Sequence, residues 1–458
     1  MSDFLFEEFD PVSAKQWKNQ IQFELKGADY NNLLTYQTLE GISIKPFYHP
    51  ETVKESLPVS LPKTWRIAEV IRNTKVDLSL EEITNALHKG VESLFFTLYE
   101  LPSELVNLLQ KEAQEAEVYI QLKNNSEEII RSLNKLGELP THWFFENDII
   151  HSFLQSGNWQ KTRKIDFTRL FHLVETVDTD HFMLTIDTSI YQNAGATMVQ
   201  QLAYSFNHLV EYLHLFENHN KKLIENIKIQ FKVSVGSNYF FEIAKIRAIR
   251  ILYAIFNKEY NLLKKCYIFT QPSERNNSVL DYNVNILRAT TECMSAVLGG
   301  ADTVASYAYD TIFKAKNEFS SHIARNQLHI LKEESQFRNA GTMAEGSFYI
   351  EEITRQLVEK ALSLFKEIEK NGGLFSQVKK GVLQKKIRES ALKEQQMVDK
   401  GKINIVGATI FPSSEIPENT RVKKDKPPKS KKKTIISPIK VSRLTQKVEN
   451  NCIFERKI

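Results

Sequence analysis

The chain passes from a strand to a helix in residues 187–213, which read DTSIYQNAGATMVQQLAYSFNHLVEYL. Before them stands HFMLTI at 181–186, an apolar run too short for a helix and typical of a strand buried on both faces. After the polar turn, apolar residues recur at steps of three and four, which predicts a helix with one buried stripe. The stripe comprises Val199, Leu202, Ala203, Phe206, Val210 and Leu213.

The same alternation of strand and helix repeats between residues 60 and 335. Candidate strands lie at 64–71, 93–99, 117–123, 142–145, 181–186, 228–235, 265–270 and 303–309. Amphipathic helical patterns separate them. Eight such units predict a closed parallel (β/α)8 TIM barrel, an α/β fold with an outer ring of helices. In such barrels functional residues lie on the turns that follow the strands.

Composition is that of an ordinary globular protein, with 42% hydrophobic and 25% charged residues in 458. Cys266, Cys293 and Cys452 stand far apart without a Cys-x-x-Cys pair, which argues against a disulfide framework or a zinc motif. The N-terminus MSDFLFEEFD has no basic and apolar leader, and no eighteen apolar residues run together. We therefore expect a cytoplasmic protein with no membrane partner.

An arm precedes the predicted barrel. In residues 1–50, Ser13 and Gln16 make a capping box ahead of a helix. The rest of the arm is rich in aromatic and apolar residues, which require a surface to pack on, either the chain's own barrel or a second subunit. We expect residues 1–50 to contact a partner subunit. Residues 51–415 then hold the barrel and its trailing helices, of which two are predicted to be long surface helices.

The C-terminal segment is the most basic part of the chain. Residues 421–458 contain 13 Lys and Arg against 3 Asp and Glu, a net of +10, while residues 1–420 carry −6. The run KKDKPPKSKKK predicts a flexible linker. Such a tail can bind nucleic acid through charge, but no aromatic residue between Arg421 and Cys452 can stack on bases. We interpret residues 416–458 as a flexible tether and expect no nucleic acid.

Six blocks of sequence, in order, resemble methylmalonyl-CoA mutases. They are EGISIKPFY at 40–48, YQNAGATMVQQLAY at 191–204, FFEIAKIRA at 240–248, CMSAVLGGADTV at 293–304, IARNQLHILKEES at 323–335 and EGSFYIEEIT at 345–354. The resemblance implies an acyl-CoA-binding eight-stranded barrel. In the catalytic chains of the family a cobalamin-binding domain follows, and the enzyme interconverts methylmalonyl-CoA and succinyl-CoA by radical chemistry.

Three departures from those catalytic chains stand out. The place of the histidine beside the substrate falls on Ile190 when it is counted back from Ala194. The turn after the seventh strand reads QPSERNNSVL at 271–280, where the family has a loop of the Ser-Gly-Trp-Ser-Leu-Thr type. The cobalamin ligand motif Asp-x-His-x-x-Gly does not occur in the sequence. The chain therefore resembles the family's small, or beta, subunit, in a form lacking the cobalamin-binding domain and with no catalytic residue.

The resemblance implies a heterodimer with the large, or alpha, catalytic subunit. Adenosylcobalamin in the holoenzyme would then be bound by the large subunit, and none by this chain. Two alternatives stay open. The chain is a subunit of a related branched acyl-CoA mutase, or it is an independent acyl-CoA-binding barrel enzyme, which would need an acid, base or histidine at the strand ends.

The polar residues at the predicted barrel mouth are Asp187, Thr188, Ser189 and Gln192. They combine the right location with the resemblance, and we expect them to form a vestigial substrate site. We expect no metal site. The histidines His208, His214 and His219 have spacings of six and five, which do not share one helical face.

Charged residues inside the matching blocks lie on predicted helices. Lys245, Arg247 and Arg325 are expected to form surface ion pairs of small energetic value. Glu292, which directly precedes the block at 293–304, lies on a predicted helix of the outer ring and is expected to be solvated or to cap its helix.

Overall fold

The computed structural model describes residues 10–52, 59–72, 80–123, 133, 138–314, 317–412 and 433–455. Among the helical patterns between the predicted strands, the one that opens with a capping box at Ser79 begins outside these residues, and the one over 127–136 lies largely outside them.

A closed barrel of eight parallel strands forms the centre of the molecule, as the sequence predicts. Its strands are β3 (Arg66–Arg72), β4 (Ser93–Leu98), β5 (Glu117–Leu122), β6 (Trp143–Asn147), β7 (Phe182–Asp187), β8 (Lys228–Val235), β9 (Cys266–Pro272) and β10 (Thr303–Ala305). Each strand pairs with its successor, and β10 pairs with β3 to close the barrel. A small antiparallel hairpin in the arm, β1 (Tyr36–Gln37) and β2 (Ser43–Ile44), precedes them.

Helices surround the barrel and continue beyond it. They are α1 (Ala14–Glu24), α2 (Tyr30–Leu34), α3 (Leu80–His88), α4 (Ser103–Glu112), α5 (Ile149–Ser156), α6 (Arg163–His181), α7 (Ser189–Asn193), α8 (Met198–Asn226), α9 (Tyr239–Tyr260), α10 (Val284–Leu298), α11 (Glu318–His329), α12 (Phe348–Lys370), α13 (Gly373–Lys379), α14 (Val382–Asp399) and α15 (Gln446–Glu455). Among the described residues, none of these helices has the length and apolar character needed to cross a membrane.

Aromatic side chains fill the inside of the barrel. The ring of Phe95 stacks on Tyr119 with centroids 4.2 Å apart, and it also lies 4.2 Å from the ring of Phe269. Phe144 lies 5.2 Å from Tyr119, and Met183 completes the layer. Because strand side chains alternate between two faces, these residues point inward while their neighbours pack under the helices.

Helix α8 follows from its sequence. Thr197 accepts a hydrogen bond from the backbone of Gln200, whose side chain accepts one from Thr197 in return, so a capping box begins the helix. Five of the six predicted stripe residues are buried, and Val199 is partly buried against the same core. Gly195 precedes the helix with φ +88°, a conformation that glycine adopts without strain.

The trailing helices are only partly at the surface. Helix α12 buries Ile353, Leu357 and Val358 in the main core. The Gly372–Gly373 pair ends it, and both glycines have positive φ. Helix α14 buries Leu383 and Ile387. The two long surface helices that the sequence predicts are therefore present, and each buries one face, as amphipathic surface helices do.

The flexible-tail prediction for residues 416–458 is wrong for the part that the structure describes. The backbone N–H groups of Ile435 and Ile436 donate to the carbonyl of Gly157, and that of Ile439 donates to Leu154. The side chains of Ile436 and Ile439 are buried in the main core. The apolar residues after the lysine run outweigh its charge, because burying them against α5 is favourable.

The helix-borne charges are buried rather than superficial. Lys245 pairs with Glu242 at 2.6 Å, Arg247 with Glu351 at 2.7 Å, and Arg325 with Glu69 at 2.7 Å. All three basic side chains are buried. The surface-pair prediction is wrong because packing of the outer helices covers these faces, and each buried charge is then matched by an opposite one.

Glu292 is also buried, against the expectation of a solvated or capping group. The Nδ2 of Asn276 donates to its Oε1 at 2.7 Å. Burial raises the pKa of Glu292 from its ordinary 4.5 to about 8, a shift that Glu242 reinforces by repulsion. The carboxyl is therefore neutral in the folded chain at neutral pH.

A pH experiment tests the buried acid. Because Glu292 is protonated more readily in the folded chain than in the unfolded one, its protonation stabilises the fold, and this contribution is complete below pH 4.5. The contribution to the free energy of unfolding is lost as pH rises from 4.5 towards 8, at up to about 1.4 kcal/mol per pH unit. Glu292→Gln removes the titration, so the melting temperature of the wild type should fall relative to this variant between pH 5 and 9. Glu389→Gln, at a half-exposed position on α14, is the control and should track the wild type. Parallel pH curves for wild type and Glu292→Gln would contradict the burial argument.

Candidate functional site at the barrel mouth

Three of the four predicted mouth residues lie together at the carboxyl end of β7. The backbone N–H of Asp187 donates to Asp148 Oδ2 at 2.7 Å. The backbone N–H of Ser189 donates to Asp187 Oδ1 at 3.0 Å. The hydroxyl of Thr188 donates to the carbonyl of Lys232 at 2.8 Å. The polar groups of this turn are thus used to hold the turn against β6 and β8.

Gln192 lies in a different hydrogen-bond network, at the carboxyl end of β8. Its Oε1 accepts from Gln201 Nε2, and Gln201 Oε1 accepts from Lys245 Nζ at 3.1 Å. The amide lies close to the backbone of Gly236, the residue after β8, since a Cβ built on this glycine would stand 2.8 Å from Gln192 Nε2. Among the described residues, no side-chain hydrogen bond joins Gln192 to Asp187, Thr188 or Ser189.

Two charged residues inside the barrel were missed by the sequence reasoning. Lys232 forms an ion pair with the buried Glu146. Its ammonium also lies over the rings of Phe95 and Phe269, at 5.1 and 5.6 Å from their centroids. Such contacts between a cation and ring faces are attractive. The signal that could have found Lys232 is the alternation in KIQFKVSV at 228–235, where polar residues share one face of the strand and apolar residues the other.

A histidine and two carboxylates complete the mouth. His151 Nδ1 lies 3.0 Å from the carbonyl oxygen of Asp187 and 3.7 Å from its Oδ2. Burial opposes protonation of His151, but the charges of Asp187 and Asp148 outweigh it and raise the pKa of the imidazole. His151 therefore acts as the counter-charge of these carboxylates.

Asp148 is fully buried beneath the mouth. It lies 3.0 Å from His208 Nε2 and accepts a hydrogen bond from the hydroxyl of Tyr212 at 2.9 Å. Burial favours its neutral form, yet attraction to His208 and His151 prevails and holds the pKa of this carboxyl below its usual range. The acid is ionised and paired, which leaves it no role as a free base.

Ile190 follows Asp187, Thr188 and Ser189 in the chain, on α7. It is 2% exposed and packs in the main core. A hydrocarbon thus occupies the position at which the family resemblance places a histidine. The mouth itself combines paired charges with an aromatic floor.

The donors present do not form a metal or corrin site. In the described ranges no group of three or more His, Cys, Asp or Glu side chains is placed to hold a metal ion. His208, His214 and His219 serve separate partners, Asp148, Tyr260 and Glu175. In the mouth, His151 is held by Asp187, and no histidine in the sequence stands two residues after an aspartate, as the cobalamin ligand motif requires. The residues present therefore do not fit cobalamin.

Comparisons with known proteins agree with the matching blocks. The family model described as methylmalonyl-CoA mutase matches residues 142–453. The methylmalonyl-CoA mutase small subunit of Porphyromonas gingivalis is 29% identical over 89% of this chain and 71% of its own length. The small subunit of Propionibacterium freudenreichii subsp. shermanii is 24% identical over 81% of this chain and 64% of its own.

Other relatives match over less of their length. The methylmalonyl-CoA mutase of Cereibacter sphaeroides is 34% identical over 58% of this chain, and the match spans 39% of that protein. Among solved structures, dihydropteroate synthase from Thermus thermophilus aligns with 59% of this chain and 94% of its own at 10% identity, with a TM-score of 0.30. Since the family model covers more than half of the chain, this protein belongs to the methylmalonyl-CoA mutase family.

Proposed function

We propose that this chain is the small subunit of a heterodimeric, adenosylcobalamin-dependent methylmalonyl-CoA mutase, and that it supports a catalytic large subunit without turning over substrate itself. The observation that carries the proposal is the mouth of the barrel, where Ile190 stands at the histidine position and the charges are paired internally. A subunit of a related branched acyl-CoA mutase is the alternative within the same family.

The inside of the barrel supports a non-catalytic role. An acyl-CoA thioester is long, and a barrel that admits its chain along the axis needs small side chains there. Here Phe95 contacts both Tyr119 and Phe269 across the interior. Lys232 and Glu146 then lie above this layer as a closed pair. A ligand entering from the mouth would have to break that pair and displace packed rings, each of which costs free energy.

The cofactor belongs to the proposed partner. Adenosylcobalamin supplies the radical chemistry of the family when it is bound. In this chain His151 is committed to Asp187, and the ligand motif is missing from the sequence. The large subunit would therefore hold the cofactor, and names of relatives as small and large subunits support such a division.

The arm supports an interface with that partner. Its second part packs on this chain, since Ile42 is fully buried and the ring of Tyr48 lies 5.5 Å from that of Tyr349. Its first part leaves large apolar side chains in solvent, with Trp17 50%, Phe23 79% and Leu33 61% exposed. Apolar groups concentrated on one projecting segment favour a docking role. Phe4, Leu5 and Phe6, the first apolar residues of the arm, lie outside the described residues.

Restoring the missing histidine should not restore activity. Ile190→His places an imidazole in a core position without a hydrogen-bond partner, which costs roughly 1–3 kcal/mol of stability. Because a single polar group makes no transition-state contacts without the rest of a site, we expect no turnover. The measurement is mutase activity of the complex whose large subunit has been inactivated by mutation. Ile190→Val is the control for stability. Measurable turnover by the Ile190→His complex would refute the proposal.

Removing the exposed apolar side chains of the arm should weaken the heterodimer. The triple variant Trp17→Ser, Phe23→Ser and Leu33→Ser should bind the large subunit at least about tenfold more weakly, or about 1.4 kcal/mol, because the buried apolar area is lost. Calorimetric titration gives the affinity, and circular dichroism checks the fold. Leu263→Ser, at an exposed leucine remote from the arm, is the matched control and should bind as the wild type does. An unchanged affinity for the triple variant, or its unfolding, would contradict an interface role for the arm.

A further inference from the structure

The described C-terminal segment, residues 433–455, is called the strap here. It begins at the C-terminal end of α5, where Ile435 and Ile436 bond to Gly157. It passes α14, where Gln384 Nε2 donates to the carbonyl of Ser437 at 3.0 Å. It then reaches the rim formed by the carboxyl ends of the strands, where the N–H of Ser442 donates to the carbonyl of Asn193 at 3.0 Å. The strap thus joins elements that are distant in sequence.

Arg275, in the loop after β9, connects the strap to the barrel rim. Its Nε donates to Glu394 Oε2 of α14 at 2.8 Å, and its Nη1 donates to the carbonyl of Ser442 at 2.7 Å. Its own carbonyl accepts from the N–H of Leu444 at 3.0 Å. A Cβ on Gly195 would approach the guanidinium to 2.7 Å, so Arg275 fits under this glycine. The buried guanidinium would lose two acceptors if the strap left.

Glu449 anchors the far end of the strap. This fully buried carboxylate lies 2.6 Å from Arg443 Nη1 and accepts from the N–H of Val279 at 3.1 Å. It also accepts from the hydroxyl of Thr445 at 2.6 Å. Leu444 packs in a small apolar cluster of its own with Leu280 and the end of α14. The anchor is thus a charged group whose partners come from both the strap and the β9 loop.

We propose that the strap is a latch, which holds the turn after β7, the loop after β9 and helix α14 together as one unit and can be released while the barrel stays folded. Releasing it would leave Arg275 and the N–H of Val279 short of partners in a buried setting, so partial release is costly. The latch is therefore either seated with all its partners or free. Through the bond from Ser442 to the carbonyl of Asn193, its seating also fixes the end of α7, in the turn after β7. This inference is independent of the proposed catalytic role of any subunit.

Hydrogen exchange on the full-length chain tests the latch. Glu449→Ala should raise the amide exchange rate at least about tenfold in peptides covering 193–197, 273–280 and 435–450, because local opening becomes less costly there. Peptides from β4 and β5 should keep the wild-type rate. Glu449→Gln keeps the shape but loses the charge, and should raise exchange in the same peptides by a smaller factor. Lys447→Ala is the matched control on the same helix, because it breaks only an exposed pair with Asp399, and should leave all rates unchanged.

Two results would overturn the proposal. If exchange rises equally in the barrel strands, the strap is part of one cooperative core and not a releasable latch. If exchange rises in 435–450 alone while 273–280 stays protected, the strap rests on the rim without holding it. Should Glu449→Ala fail to fold, Glu449→Gln with Thr445→Val repeats the comparison in milder form, and the same two results then decide against the proposal.

Discussion

The packing of Phe95 against Tyr119 and Phe269 inside the barrel is the contact on which the rest of the account depends. A layer of rings in contact closes the axis, and it gives Lys232 a surface over which its ammonium can lie while it pairs with Glu146. If small residues replaced Phe95, Tyr119 and Phe269, Lys232 would face an open channel. The aromatic layer thus decides both the shape of the barrel and the state of its charges.

The mouth above this layer is neutralised by its own residues. His151 compensates Asp187, and the buried Asp148 is matched by His208 and by the hydroxyl of Tyr212. These residues also hold the turns after β6 and β7 together, through the bond from the N–H of Asp187 to Asp148 and the contact of His151 with the carbonyl of Asp187.

The barrel was predictable because its signal is local. Strands buried on both faces read as short apolar runs, and β8 was predicted with its observed bounds, 228–235. The last strand ends at Ala305, four residues earlier than predicted, since SYAY continues the apolar pattern but lies beyond the paired residues. The family assignment was likewise readable, because six ordered blocks carry it.

What the sequence did not reveal depends on tertiary contacts. The burial of Lys245 and Arg247 follows from where α9 meets its neighbours, which no periodicity on α9 reports. The packing of the strap on the barrel was not predicted, because the lysine run before it indicates a flexible tail. The isoleucines of the strap were the signal that pointed to burial.

The most direct test of the central claim compares the isolated chain with the complex. The isolated chain is incubated with methylmalonyl-CoA and adenosylcobalamin, and succinyl-CoA formation and cofactor retention on dialysis are both measured. The account predicts neither. On titration with the large subunit, activity should appear and should saturate at one copy of this chain for each large subunit. Turnover or cofactor retention by the isolated chain would contradict the account.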